Sequence, residues 1–225
     1  MRSKPNKLFF FGPGYTARSI KYFLDKNANV YGKWIFSGSV REKHQSEYLK
    51  KINIKPVPFN DAEEALTSAD AILSSIPPGE NKDPVINYYK NLLAKDGVNK
   101  WIGYLSTTGV YGNTDGAMVA ETAELKPTHQ RSLSRIRAEK EWLDLNAHIF
   151  RLPGIYGLGR SAIERIKNGK NKSVVKKGHQ FSRIHVEDIA QTVIFSIQKP
   201  NPGSIYNVCD DESAEPMMVD RFAAR

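Results

Sequence analysis

The sequence predicts an α/β fold: a doubly wound parallel sheet with helices on both faces, followed by a small C-terminal lobe. Three observations carry that prediction. Apolar runs alternate with amphipathic stretches from the start of the chain to about residue 152, the pattern of βαβ units whose helices run about 10–15 residues. Runs such as ADAILSSI and KWIGYLST are almost continuously apolar, as strands covered on both faces must be. A Gly-Pro-Gly turn separates the first apolar run from the first amphipathic stretch.

The elements follow in order. Residues 7–11 (KLFFF) read as a strand cut off by Gly12, and 15–26 as a helix. Residues 29–38 (NVYGKWIFSG) read as a second strand, 41–51 as a helix and 54–58 as a short strand. Residues 69–76 form a buried strand, and DPVINYYKNLLAKDG a helix closing on a capping glycine, Gly97. KWIGYLST at 100–107 is the next strand, 128–146 a long helix and HIFRL at 148–152 another strand. From Pro153 the pattern loosens, with helices expected near 160–168 and 187–198 and a last strand at 204–208. The expected organisation is a core over 1–155 and a reduced lobe over 156–225, from which 187–208 returns to the sheet.

A chain of 225 residues suits one domain with a small appended lobe. The formal charge of +9 raises a nucleic-acid partner, but the lysines are dispersed, with only short clusters at YLKKI, KNGKNK and VVKKGH. A nucleic-acid binder would interleave such clusters with aromatics or set them on a recognition element, so a solvated lysine-rich surface is expected and no nucleic acid. No apolar run nears the roughly 18 residues of a membrane span, and MRSKPNKLFFF is too short in its apolar core for a secretory signal. Cys209 is the only cysteine, so no intrachain disulfide forms and a cytoplasmic setting is the default. No metal is called for.

Gly12, Gly14 and Ala17 fit G-x-G-x-x-A between a strand and a helix, the context of a dinucleotide-binding turn in a Rossmann fold. The first glycine permits the tight turn, the second lets the backbone approach a diphosphate, and the third small residue lets helix and strand pack closely. An NAD site usually places Asp or Glu about 20 residues further on for the ribose 2′-hydroxyl. Between Asn27 and Arg41 there is no carboxylate; the turn reads FSGSVREK. The small residues Ser37, Gly38 and Ser39 leave room for a 2′-phosphate that Arg41 would grip bidentately. NADP(H) is therefore expected in preference to NAD(H), which remains possible; the bland alternative is a solvated Arg41.

Ligands of such sheets lie beyond the carboxyl ends of the strands, where this chain carries SSIPPG (74–79), LSTTGVYG (105–112) and RLPGIYGLGR (151–160). With RIHVEDIA (183–190) and YNVCDDE (206–212), these segments resemble the extended short-chain dehydrogenase/reductase superfamily, the nucleotide-sugar epimerases and dehydratases, over nearly the whole chain. The shortened glycine loop and LSSIPP are more similar to its atypical branch of NAD-dependent epimerase/dehydratase-like proteins. The resemblance implies an NAD(P)-dependent oxidoreductase acting on a carbonyl or hydroxyl compound, sugar-derived in many members. It assigns Gly12, Gly14, Tyr15 and Ala17 to the diphosphate loop and Ser75, Ile76 and Pro77 to the cofactor ribose. It assigns Pro153 and Gly154 to the nicotinamide, and Asn60 or Asp61 to the vicinity of adenine. Thr107, with Ser106 adjacent, matches the catalytic hydroxyl that holds the substrate oxygen; the alternative is a threonine capping the strand end.

One departure stands out. The family's acid/base tyrosine and its lysine form Tyr-x-x-x-Lys, whereas the helix here reads RSLSRIRAEKEW. Leu133 takes the tyrosine position and Arg137 the lysine position. Leucine exchanges no proton, and the arginine proton is effectively fixed. No tyrosine occurs between Tyr111 and Tyr156 to replace it. His129 is the best free candidate for proton transfer; Tyr111, Tyr156 and His185 suit structural roles, and Arg183 either meets a substrate phosphate or lies solvated. The substrate lobe is expected to be small, because another helix or two would be expected after YNVCDDE. A homodimer formed through sheet helices is plausible from the resemblance. Two readings stay open: an oxidoreductase acting on a small-molecule substrate, or a non-catalytic NADP(H)-binding sensor or assembly module.

Overall fold

The computed structural model describes residues 6–96, 99–169 and 180–225. Its elements are β1 (Asn6–Phe11), α1 (Tyr15–Lys26), α2 (Ala28–Tyr31), β2 (Trp34–Val40), α3 (Lys43–Lys51), β3 (Lys55–Pro58), α4 (Glu63–Ser68), β4 (Ala71–Ser74) and α5 (Pro84–Asp96). They continue as β5 (Trp101–Thr107), α6 (Gln130–Leu143), β6 (His148–Leu152), β7 (Gly154–Tyr156), α7 (Ala162–Lys167), β8 (Arg183–His185), α8 (Val186–Gln198), β9 (Ile205–Asn207) and α9 (Pro216–Ala223). Seven strands form one parallel sheet in the order β3-β2-β1-β4-β5-β6-β9. The order reverses between β1 and β4, which opens a crevice at their carboxyl ends.

The apolar run of β1 shows why the sheet is covered twice. Leu8 and Phe10 face a cluster with Ala17, Ile20 and Leu24 of α1 and Ile189, Ala190 and Val193 of α8. Phe9 and Phe11 face the other way, against Val85, Ile86 and Tyr89 of α5 and Trp142 of α6. All four are fully buried, each worth about 1.5–3 kcal/mol. The C-terminal segment packs on this core: α8 lies on α1, and β9 pairs with β6. A small parallel sheet of β7 and β8 carries the remaining lobe, with α9 packed on α7 through an Arg165–Asp220 ion pair of 3.0 Å.

Several boundaries differ from the sequence reading. The second strand is Trp34–Val40, not 29–38, because Val30 and Tyr31 donate to the Asn27 carbonyl, and Tyr31 packs on Phe23 to make a helical turn. Gly32 then breaks out of that turn and the strand begins later and ends later. The strand read at 69–76 runs only Ala71–Ser74, and Ser75, whose N–H still donates to the Phe11 carbonyl at 2.9 Å, turns into the loop. Three elements had no legible period: α4, whose last carbonyls are held by the Lys100 ammonium, and the strands β7 and β8. The helix end at Gly97 and the lysine cluster VVKKGH lie outside the described residues, as does part of KNGKNK. Among the described residues, no helix is long and apolar enough to cross a membrane.

Candidate functional site

The glycine loop is locked from two strands. Gly12 stands at φ 73°, a left-handed backbone that favours glycine, and a Cβ there would lie 2.9 Å from Ile76 Cγ1. Its N–H donates to Ser39 Oγ at 3.1 Å, and its carbonyl accepts from Ser75 Oγ at 2.5 Å and from the Gly14 N–H at 2.6 Å. Ala17 is buried on the face of α1 that meets the sheet. Gly14 caps α1 without a side-chain hydrogen bond, and the first turn holds no acidic residue. The amides of that turn are therefore uncompensated donors at the positive end of the helix.

Beside the loop lies a cleft of about 590 Å³. Gly12–Gly14, Ser39–Arg41 and Ser75–Pro77 line it, joined by Arg18 of α1 and by His44 and Tyr48 of α3. Arg41 sits with its guanidinium 5.7 Å from the Phe59 ring centroid, and Arg18 donates to the Tyr48 hydroxyl at 2.5 Å. His44 pairs with Glu42 at 3.1 Å. Ser37 does not line the cleft: it lies within β2 opposite Phe9, and the longer strand gives its place to Ser39. Asn60 and Asp61 lie in the short 3-10 turn after β3, where Tyr88 donates to the Asn60 carbonyl at 3.4 Å. Arg18, His44 and Tyr48 were missed in the sequence. Arg18 was within reach of it, since Gly14 and Arg18 are four apart and share a helix face.

The carboxyl end of β5 and the facing helix α6 lie outside that cleft's lining and are organised differently. Thr107 closes β5 and its Oγ1 accepts the Gly109 N–H at 3.1 Å, so its own proton is left to donate. Ser106 points away from the opening and donates to buried Glu139. Glu139 in turn pairs with Arg151 at 2.8 Å, both side chains 3% exposed. Arg151 also donates to the Tyr111 hydroxyl, and that hydroxyl donates to Asn207 Oδ1, each at 2.7 Å. Bonds to both partners hold the Arg151 guanidinium in its charged form despite burial, which alone would lower its pKa.

Leu133 is 42% exposed. Arg137 turns to the Glu80 carbonyl and to Ser134 Oγ. His129 occupies the cap position of α6, exposed and without a capping bond. Ser132 Oγ and Thr107 Oγ1 each lie 3.4 Å from where a Gly109 Cβ would stand. Pro153 and Gly154 link β6 to β7, with Gly154 under the Phe181 ring.

The small lobe meets the glycine loop through Tyr15, whose hydroxyl donates to the Leu158 carbonyl at 3.0 Å. Tyr156 packs edge-on against His185 at 5.1 Å. Burial pushes the Tyr156 phenol up, and its bond to Asp210 pushes it further, so it is held protonated. Arg183 is spent on the Phe181 carbonyl at 3.0 Å and on stacking over the Phe181 ring.

No family model matches the chain. Protein YeeZ of Escherichia coli (strain K12) is 28% identical over 172 residues, which are 72% of this chain and 61% of that protein. The chain thus spans about three-fifths of the length of that curated relative. A conserved protein of unknown function from Silicibacter pomeroyi DSS is similar at 39% identity and TM-score 0.89, covering 97% of this chain and 77% of that one. The dTDP-glucose 4,6-dehydratase of Bacillus anthracis str. Ames, solved in complex with NAD, shares the fold at 15% identity and TM-score 0.72, over 97% of this chain and 80% of that one. By sequence and fold together, the chain belongs to one family with the Silicibacter pomeroyi protein, built on the fold of the extended short-chain dehydrogenases/reductases.

Proposed function

We propose that the protein binds a nicotinamide dinucleotide, NADP(H) in preference to NAD(H), and acts as an oxidoreductase of the epimerase/dehydratase type on a carbonyl or hydroxyl compound. The observation that carries the reading is the single cleft shared by Gly12–Gly14, Ser39–Arg41 and Ser75–Pro77. Its materials fit such a cofactor: uncapped amides for a diphosphate, small residues at the end of β2, and a guanidinium where NAD sites carry a carboxylate.

When bound, a nicotinamide would supply or accept the hydride. The chain's own part is positioning. Thr107 donates its hydroxyl proton to the substrate oxygen, and the Gly109 N–H fixes the Thr107 rotor for that task. Pro153 and Gly154 flank the reacting face. With Leu133 in place of a tyrosine, the proton moves through water or through His129 at the start of α6.

Titration calorimetry tests the binding half. NADPH should bind more tightly than NADH, and Arg41→Ala should weaken NADPH about tenfold or more while leaving NADH unchanged. Equal affinities, unaffected by the substitution, overturn the NADP(H) preference. Steady NADPH oxidation against a panel of aldehydes, ketones and sugar-derived carbonyl compounds, lost in Thr107→Val, tests the chemistry. The exposed Leu133 and the diverted Arg137 favour a second reading, a cofactor-binding sensor or assembly module. Tight NADPH binding with no turnover and a changed oligomeric state would select it.

A further inference from the structure

The loop after β7 makes a rigid strap against the glycine loop. Gly157 and Arg160 exchange backbone hydrogen bonds, Gly157 N–H to Arg160 O at 3.1 Å and Arg160 N–H to Gly157 O at 2.9 Å. Gly157 stands at φ 152°, and a Cβ there would lie 2.7 Å from the Tyr15 hydroxyl and 2.8 Å from Val186 Cγ1, so only glycine lets the strap come down on Tyr15. The Tyr15 hydroxyl then ties to the Leu158 carbonyl. Glu164 fixes the far side, accepting the Gly159 and Ser161 N–H groups, each at 2.8 Å.

One side chain of the strap is not used by the strap itself. Arg160 lies with its guanidinium 5.6 Å from the Tyr15 ring centroid. It is exposed, and among the described residues no carboxylate stands within ion-pair distance of it. The nearby Glu164 is consumed by the loop amides and the Ser161 hydroxyl. Tyr15 is the first residue of α1, and Arg18, one turn on, lines the cleft. Two guanidinium groups thus flank the glycine loop, one from the core helix and one from the small lobe. Guanidinium groups on two sides of a helix N-terminus match a ligand with two negative charges.

We propose that Arg160 grips the diphosphate bridge of the bound dinucleotide, so that the small lobe closes the cofactor site through the 157–160 strap. This rests on the dinucleotide reading above and adds a binding residue to it. The small lobe then does more than face substrate: it reads the cofactor's charge, and cofactor binding stiffens the seam between lobe and core.

The test separates the two ideas. Dissociation constants are measured by calorimetry for NADPH, ADP-ribose and adenosine 2′,5′-bisphosphate, which lacks the diphosphate bridge. Arg160→Ala should weaken NADPH and ADP-ribose about tenfold and the bisphosphate less than about threefold. Arg160→Lys should recover part of the loss, because charge survives and the fork does not. Arg41→Ala should show the reverse pattern, with ADP-ribose spared. Arg160 is exposed and outside the core, and an unchanged melting temperature confirms the variant is folded. If wild-type protein binds none of the three, the dinucleotide reading fails. If wild-type protein binds and Arg160→Ala binds all three equally well, or loses all three alike, the assignment of Arg160 to the diphosphate is overturned.

Discussion

The two ends of the sheet's carboxyl edge use their polar residues in opposite ways. At the β1–β2–α3 end, Ser39, Arg41, Arg18 and the uncapped amides of α1 face the opening. At the β5–α6–β6 end, Ser106, Glu139, Arg151, Tyr111 and Asn207 bond to one another beneath the surface. One end presents charge to an open cleft; the other spends it on holding three strands and a helix together. The lesson is that a strand end rich in hydroxyls and charges does not by itself mark chemistry. What separates the two is whether the groups line an open cleft or close on one another beneath the surface.

The sharpest way to break this contrast is at Glu139. Glu139→Ala leaves a buried guanidinium without its counter-charge and removes the acceptor of Ser106, so unfolding free energy should fall by about 3–5 kcal/mol. Urea denaturation measures it. A loss below about 1 kcal/mol would mean that water reaches Arg151 and that the network is open to ligands after all.

Gly12→Ala probes the opposite end. The added methyl meets Ile76 at 2.9 Å in a backbone at φ 73°, which costs about 1–3 kcal/mol of strain. The larger consequence is for binding: with the loop displaced, the NADPH dissociation constant should rise at least about thirtyfold. Stability lost with affinity intact would mean that this loop is only a turn.

Acidity supplies a background both ends share. His148 is buried, its Nδ1 facing the Ile102 carbonyl and its Nε2 accepting the Asn201 N–H at 3.0 Å. Burial holds its pKa below the ordinary imidazole value. The unfolded chain therefore takes up the proton first, so this stability is complete above about pH 6.5 and drains as pH falls towards the lower folded value. Urea midpoints across pH 7.5 to about 5 should fall on the acid side, and a flat profile would contradict the buried neutral imidazole. Affinity changes over that range are interpretable only after this loss is subtracted.

How much of this was legible in the sequence follows the same division. Short-range signals gave the sheet, because the Phe9–Phe11 run and its neighbours have no polar face to misread. The glycine loop was legible because strand, turn and helix are contiguous there. The end of β2 was misjudged by two residues, since a helical turn hidden in NVYG shifts the strand and replaces Ser37 by Ser39 at the cleft. Ser106 could not be read correctly, because its partner Glu139 is 33 residues away on a helix whose facing was unknown. Arg160 escaped for the same reason, being brought to Tyr15 only by the return of the small lobe.

Tyr111→Phe gives the smallest effect and the finest distinction. The Tyr111 hydroxyl accepts from Arg151 and donates to Asn207; removing it leaves one donor of Arg151 and one acceptor of Asn207 unmatched. Arg151 retains Glu139 and the Glu121 carbonyl, and Asn207 retains bonds to Glu121 and Val119. The loss should therefore be limited to about 1–2 kcal/mol of stability. Because the hydroxyl is tied on both sides within the buried network, NADPH affinity and any turnover should change less than about twofold. If turnover instead collapses while stability holds, Tyr111 is the acid that Leu133 no longer provides. The division between the two ends would then disappear.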